Sequence, residues 1–387
     1  MEFVFTDEQK MIIDTAEAFL AEVSTSESIR QVMEGEDHFN AELWQRVCSE
    51  MYWQAMHIPE EYGGMGLGYV EVAAVMEQMG KYLLVSPFFA TVCQAVNAVL
   101  LGGNEDQKAQ YLSEIAEGST ATLAYNGGGL SWGASSVTAT AKAEGDNYTL
   151  NGEYRYVLDV TTADFVVVAA REAASQGNEG ISLFVLPSDT AGLDSTWNAT
   201  LDQTRALGTL SLNNVCVSSS QLLGEPGQGW PTLEKTLAMA QIALSAEQAG
   251  GTQALLDMTV AYTQERVQFG RTIASFQSTK HKAADMMVRA EVAKSGVYYA
   301  ACVADEALQG GELADELVEA GSVTKAYSSE AYFENAGQAM QLHGGVGFTW
   351  EYDVHLHFKR AKASELYLGN ADEHYESLAD TLLGGAS

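Results

Sequence analysis

The chain has 387 residues, 47% of them hydrophobic, which is enough for two or three packed regions with sizeable cores. Asp plus Glu number 52 against 20 Lys plus Arg, and the formal charge of −32 would repel a polyphosphate backbone along most of the surface, so nucleic-acid binding is not expected. The acid excess fits a strongly solvated protein surface and equally a salt-rich habitat.

The first region, residues 1–120, reads as a helical domain. Thr6-Asp-Glu-Gln9 has the pattern of a capping box ahead of Met11, Ile12, Ala16 and Leu20, apolar positions at helical spacing. Ile58-Pro-Glu-Glu-Tyr-Gly-Gly-Met-Gly-Leu67 breaks the pattern, and a helix resumes over Tyr69 to Tyr82. Residues 121–225 change texture to short β-branched and aromatic runs: Val137–Thr140, Tyr148–Leu150, Phe165–Ala169 and Ile181–Leu186. They predict a small middle β domain, with Gly145-Asp-Asn147 and Leu150-Asn-Gly152 as turns between antiparallel strands. After Gly224-Glu-Pro-Gly-Gln-Gly229 the chain returns to helices over residues 226–387. Leu255, Met258, Thr259 and Tyr262 form one stripe on a helix ending near Arg266. The fold class is therefore mainly α with a middle β domain.

No basic stretch followed by an apolar run stands at the N-terminus, and no segment approaches the roughly 18 apolar residues of a membrane span, so a cytoplasmic location is expected. Cys48, Cys93, Cys216 and Cys302 are far apart, without a CxxC pair or a His at ligand spacing; buried thiols are expected, and no metal site. His281, His343, His355 and His357 lack converging carboxylates at recognisable spacing. His355-Leu-His-Phe-Lys-Arg-Ala-Lys362 reads as a local basic island on a helix surface, able to meet a phosphate or an acidic partner.

Two segments carry chemistry. Arg266-Val-Gln-Phe-Gly270 leads through Phe276-Gln277 to Ala284-Asp285-Met286, and Gln341-Leu-His-Gly-Gly-Val-Gly-Phe348 runs on to Glu351-Tyr352. These segments, the Ile58–Leu67 loop and the helical, β, helical order resemble the acyl-CoA dehydrogenase family over essentially the full chain. The resemblance implies an N-terminal helical region, a barrel- or sandwich-like β domain and a C-terminal four-helix bundle. It also implies FAD as cofactor, an acyl-CoA thioester as substrate and an electron-transfer flavoprotein or similar acceptor. Dehydrogenation of such a thioester needs a carboxylate to take the α-proton, a flavin to accept the β-hydride and donors for the thioester oxygen.

By the same resemblance, Arg266, Phe269, Gln341 and Gly345 would reach across a subunit interface to the adenosine-diphosphate half of a neighbour's FAD. On the chain's own β domain the family's flavin-binding hydroxyl loop corresponds to Asn126-Gly-Gly-Gly-Leu-Ser-Trp132. The family's Trp-Ile-Thr-Asn element corresponds to Tyr156-Val-Leu-Asp159, which keeps an aromatic at Tyr156 and places Leu158 where the threonine stands. The family's catalytic Glu follows the Glu-Tyr pair in a Tyr-Glu-Gly-Thr turn; here the turn reads Tyr367-Leu368-Gly369-Asn370. A second family solution puts the Glu on the first helix of the C-terminal domain, at or near Gln241, with Ile242 beside it. Neither Leu368 nor Gln241 accepts a proton at neutral pH. Glu247, Glu365 and Asp372 are the neighbouring carboxylates, read as packing, capping or helix-end acids.

Three functions accommodate this pattern. The chain is the base-lacking half of a heteromer that completes the FAD site of a homologous Glu-bearing subunit; Phe348-Thr-Trp-Glu-Tyr-Asp-Val-His-Leu-His and Leu201-Asp-Gln-Thr-Arg205 resemble the steroid-degradation branch, which implies a bulky or branched acyl-CoA. Alternatively it is a homo-oligomer with bound FAD and a different base or reaction, such as desulfination. In the third, it is a non-catalytic structural subunit.

Overall fold

The computed structural model describes residues 4–129 and 131–384; residues 1–3, Leu130 and residues 385–387 lie outside it, Leu130 being part of the Asn126–Trp132 loop. Packing divides the chain into two compact units. One comprises Met1–Gln31, Tyr69–Leu84 and Gln241–Ser387, and the other Val32–Gly68 and Val85–Ala240.

The first unit is helical. Helix Asp7–Val23 starts at the expected capping box: Thr6 Oγ1 accepts from Gln9 N at 3.1 Å, and Thr6 N donates to Gln9 Oε1 at 3.0 Å. Its buried side chains are Ala16, Phe19 and Leu20, whereas Met11 is 63% exposed. The stripe turns through Ile12 and leaves Met11, about 100° round the helix, in solvent. Helix Tyr69–Lys81 follows the glycine-rich break and buries eleven of its thirteen residues. A residue distant in sequence caps it, because the Asp305 carboxylate accepts from the amides of Tyr69 and Val70. Gly80 brings this helix against helix Trp230–Glu265 so closely that a Cβ there would fall 1.9 Å from Glu247 O; at Gly250 the reciprocal distance to Glu77 O is 1.8 Å.

Helices Gln277–Gln309, Leu317–His343, Val354–Leu366 and Ala371–Leu383 complete the unit around Leu255, Met286, Tyr332, Ala336, Ala339, Val354 and Ala361. Of the predicted stripe, Leu255 and Thr259 are buried, with Met258 and Tyr262 half-buried. The expected basic island is not a surface. His355, His357 and Arg360 turn inward, where His357 Nδ1 pairs with Tyr332 Oη at 2.9 Å and Arg360 Nη1 with Glu247 Oε1 at 2.9 Å. Lys362 is held by Glu365 at 2.7 Å. Of the five basic residues in this stretch, helical periodicity sends three into the core and leaves Lys359 and Lys362 half-buried.

The second unit carries an eight-stranded sheet in the order β6-β7-β3-β2-β4-β5-β8, with β1 paired to β4. These strands are β1 Ala121–Ala124, β2 Thr140–Glu144, β3 Asn147–Leu158, β4 Phe165–Arg171, β5 Ile181–Pro187, β6 Leu193–Asn198, β7 Leu207–Ser218 and β8 Leu222–Leu223. β4 and β5 are buried almost end to end, which their continuous Val, Ile and Leu runs require. Gly145-Asp146 makes the two-residue turn between β2 and β3, with Glu144 opposite Asn147. Leu150-Asn-Gly152 is not a turn. The strand continues through it with a bulge between Leu150 and Gly152, and Gly152 sits where a Cβ would lie 2.6 Å from Ala139, so the glycine serves close backbone approach. Cys93 is buried as expected; Cys216 is exposed on β7, and Cys48 and Cys302 are half-buried. Among the described residues no helix is long and apolar enough to cross a membrane, and no group of His, Cys, Asp and Glu could hold a metal ion.

Candidate flavin edge and acyl-site positions

Arg266 is the last stop of helix Trp230–Glu265 and the base of a tight hairpin. Val267–Gln268 pairs with Arg271–Thr272, and Phe269 (φ 55°) and Gly270 (φ 79°) form the turn. Two consecutive positive φ values are what a two-residue hairpin requires, and Gly270 adopts its value freely. Phe269 does not: a left-handed L-residue costs about 1–2 kcal/mol, and here it also leaves the ring 92% exposed. The Phe276 ring stands edge-on to Phe269 with centroids 6.2 Å apart, while the Arg271 guanidinium lies 4.0 Å from the Phe276 centroid on the same hairpin. Arg266 itself is exposed.

The second segment begins where helix Leu317–His343 ends. Gly344 (φ 62°) stops the helix, and Gln341, Gly344 and Gly345 are exposed. A Cβ added at Gly344 or Gly345 would meet nothing within 4 Å, so this stretch of backbone is open to a bulky anion. The two segments are joined. The rings of Tyr262 and His343 stack at 4.3 Å and 20°, Tyr262 Oη donates to the His343 carbonyl at 3.3 Å, and Tyr352 stands edge-on to Tyr262 at 6.0 Å. Tyr262 lies one turn before Arg266, whose amide donates to the Tyr262 carbonyl at 2.9 Å. The His343 Nδ1–H donates to Ala339 O at 2.8 Å, and burial holds its pKa below the ordinary histidine value. The stack gives His343 a packing role between the two segments, and nothing in the sequence pairs it with Tyr262.

On the sheet unit, Tyr156 occupies the irregularity between Tyr154 and Val157 in the β3–β7 ladder, at φ 60° and 41% exposed. A bulge re-aims its residue. Tyr154 points inward, its hydroxyl donating to Ala169 O at 2.9 Å, and Tyr156 instead meets Trp132 with centroids 6.1 Å apart. Trp132 in turn lies 6.1 Å from Tyr125. Leu158 is buried, and its carbonyl accepts from Thr122 Oγ1 at 2.6 Å. Three amides of the Asn126–Gly133 stretch are engaged within the protein: Gly127 N donates to Ser136 O at 2.9 Å, Gly128 N to Asn126 Oδ1 at 2.7 Å and Gly133 N to Ser131 Oγ at 3.3 Å.

Gln241 and Leu368, the positions that the resemblance aligns with the family's base, lie in contact. Gln241 Nε2 donates to the Leu368 carbonyl at 3.3 Å, and His374 Nε2 contacts the same oxygen at 3.1 Å. Leu368 is 1% exposed and left-handed, at φ 62°. Of the carboxylates nearby in sequence, buried Glu247 pairs with Arg360 and Glu365 with Lys362, while Asp372 is exposed.

The residue types exposed here fit the chemistry of the adenosine-diphosphate half of FAD, which Arg266 would meet with a charge-assisted donor, Gln341 with amide donors and Gly344–Gly345 with unobstructed backbone. When bound, FAD supplies hydride acceptance. This chain's own residues at 241 and 368 can bind and orient but cannot remove a proton.

Three family descriptions cover the chain: acyl-CoA dehydrogenase N-terminal domain at residues 6–119, middle domain at 117–215 and C-terminal domain at 227–383. The human mitochondrial short-chain specific acyl-CoA dehydrogenase is 30% identical over 85% of this chain and 79% of its own length. The butyryl-CoA dehydrogenase structure from Megasphaera elsdenii superposes with a TM-score of 0.90 at 27% identity, covering 99% of this chain and all of that one. The Tcur3481–Tcur3483 steroid acyl-CoA dehydrogenase superposes with a TM-score of 0.86 at 26% identity, over 98% and 99% of the two chains. Bundle, sheet and sequence agree: the chain belongs to the acyl-CoA dehydrogenase family of FAD-dependent oxidoreductases.

Proposed function

We propose that this chain is the base-lacking subunit of a heteromeric acyl-CoA dehydrogenase that desaturates a bulky acyl-CoA thioester at its α,β bond, as in steroid side-chain degradation. Its partner is a homologous subunit bearing the catalytic Glu. Through Arg266, Phe269, Gln341 and Gly345 this chain completes the adenosine-diphosphate end of the partner's FAD site, and an electron-transfer flavoprotein or similar carrier takes the electrons. The observation that carries the reading is the contact between Gln241 and Leu368: both positions where the family keeps its base meet at one carbonyl, and neither is a carboxylate. An exposed left-handed Phe269 supports it, since a strained aromatic held out at a hairpin tip is explained by a surface that covers it. The engaged amides of Gly127, Gly128 and Gly133 point the same way, since those three are not free to meet this chain's own flavin. A steroid enzyme named as a pair of gene products is among the structural neighbours.

The test is the visible absorbance spectrum and FAD-to-protein ratio of the chain alone and together with a Glu-bearing homologue from the same organism. A colourless chain that becomes part of a yellow complex is the expected result. Full flavin occupancy in the isolated chain would replace this reading with a homo-oligomer of altered chemistry.

A further inference from the structure

The turn that carries position 368 is conformationally expensive. Leu368 (φ 62°) and Gly369 (φ 98°) are both left-handed, and a leucine persists there only if its surroundings over-determine it. Three of those surroundings are easily seen: Gln241 and His374 hold the Leu368 carbonyl, and Asn370 caps the next helix through a reciprocal pair with Glu373 at 3.0 Å each way. The fourth comes from beneath. Lys325, in the middle of helix Leu317–His343, is 0% exposed, and its Nζ contacts Ser329 Oγ at 2.7 Å, Gly369 O at 2.9 Å and Glu365 O at 3.2 Å. An ammonium has three protons, and here each has one acceptor.

Two of the acceptors explain what the lysine does. The Glu365 carbonyl belongs to the last turn of helix Val354–Leu366, whose final carbonyls have no intrahelical donor and carry the negative end of the helix dipole. The Gly369 carbonyl belongs to the turn itself. One buried side chain thus ties a helix end to the left-handed residues that follow it, across 44 residues of sequence. The third acceptor extends the tie: Gln248 Nε2 donates to Ser329 Oγ at 3.1 Å, and Gln248 lies two turns beyond Gln241 on the same helix. The ring closes, since Gln241 reaches the turn directly.

We propose that Lys325 is the positioning residue of the Tyr367–Asn370 turn, holding Leu368 and Gly369 left-handed and so fixing position 368 against Gln241. Burial pushes Lys325 down to about 7, with the Glu365 and Glu373 carboxylates opposing that shift. The clamp does not depend on which form prevails, because a neutral amine keeps two N–H groups for the two carbonyls. The assignment is independent of whether this chain turns over substrate or serves a partner, since it concerns only how the turn is built.

Hydrogen exchange by mass spectrometry on the full-length chain tests it. In Lys325→Met, which keeps an unbranched apolar side chain and removes the donors, exchange at residues 366–371 should rise at least tenfold. Residues 318–324 of the helix that carries Lys325 should stay within twofold. Unchanged exchange at 366–371, or equal acceleration of both segments, would overturn the assignment, the second because it reports loss of core packing instead of release of the turn. Should Lys325→Met fail to accumulate folded, Ser329→Ala keeps the amine and removes one acceptor. A rise of about threefold confined to residues 366–371 is then expected, and no difference between the two segments overturns the proposal.

Discussion

The side-chain amide of Gln241 donates to the main-chain carbonyl of Leu368 across 3.3 Å, joining the two positions that the sequence resemblance aligns with the family's base. A carboxylate placed at either one does not inherit a ready site. At 241 an ionised Glu would turn an acceptor toward the Leu368 carbonyl, where a donor now sits; removing such a partner typically costs about 1–3 kcal/mol. At 368 a Glu must replace a fully buried leucine. Leu368→Glu and Gln241→Glu, each alone, should therefore leave anaerobic flavin reduction by acyl-CoA within a few-fold of the unmodified chain. A hundredfold gain from Leu368→Glu would show that the rest of the site is intact and that the chain is a one-step relic, not a committed partner.

Arg266 should matter to the assembled enzyme and little to the folded chain. It is exposed, and its guanidinium is a charge-assisted donor for a diphosphate, an interaction of about 1.5–3 kcal/mol. Arg266→Ala should weaken FAD binding by the assembled oligomer roughly tenfold or more while moving the chain's own unfolding midpoint hardly at all. Tyr262→Ala, which removes the stack on His343, should do both. FAD titration beside denaturant unfolding separates the two variants, and equal effects on both measurements for Arg266→Ala would place that residue in the fold instead of at the cofactor.

Much of this was legible in the chain. The Arg266–Gly270 and Gln341–Phe348 segments are contiguous, their residue types are distinctive, and the hairpin and helix stop that the structure builds from them are local events. The capping box at Thr6 and the turn at Gly145-Asp146 were legible for the same reason. What stayed hidden depends on distant pairs. Lys325 reads as one more surface lysine until the turn 44 residues later closes over it, and Asp305 gives no sign that it caps a helix starting at Tyr69. The basic island failed for the opposite reason: adjacency in sequence was taken for adjacency on a surface, whereas a helix separates consecutive side chains by about 100°. At Asn151-Gly152 the glycine signal was real but its cause was a bulge against Ala139.

The crossing of helices Tyr69–Lys81 and Trp230–Glu265 depends on two missing methyl groups. A Cβ at Gly80 would lie 1.9 Å from Glu247 O, and one at Gly250 would lie 1.8 Å from Glu77 O; both obstacles are backbone and cannot rotate away. Overpacking of this kind costs about 1–3 kcal/mol or more. Gly80→Ala and Gly250→Ala should each lower the denaturation midpoint clearly, against an intrinsic helix-propensity gain of about 1 kcal/mol for replacing glycine by alanine. A neutral or stabilising result for either would mean that the helices can move apart.

Acid should unfold this protein earlier than its surface charge alone would suggest. His57, His357 and His374 are buried, and burial, as the largest cause in each, pushes them down to about 4, about 3 and about 4 from an ordinary 6.5. Their folded values lie below the unfolded one, so between those limits the unfolded chain binds more protons and stability falls as pH falls. Each contributes on the order of 3 kcal/mol of stability above pH 6.5 that is gone once the pH drops through its folded value. Relief of carboxylate repulsion in a chain of charge −32 works in the opposite direction, but protonation of surface acids centres near pH 4, at the lower edge of the histidine window. Between pH 6.5 and 5 the histidines should therefore decide the slope. Denaturant unfolding at pH 7.5, 6 and 5 should show falling stability, and His374→Gln, which can keep a donor for the Leu368 carbonyl and cannot titrate, should flatten that fall by up to one proton's worth, about 1.4 kcal/mol per pH unit. An unaltered slope in that variant would mean that His374 is already protonated in the native state, and hence that the Leu368 turn is open to water.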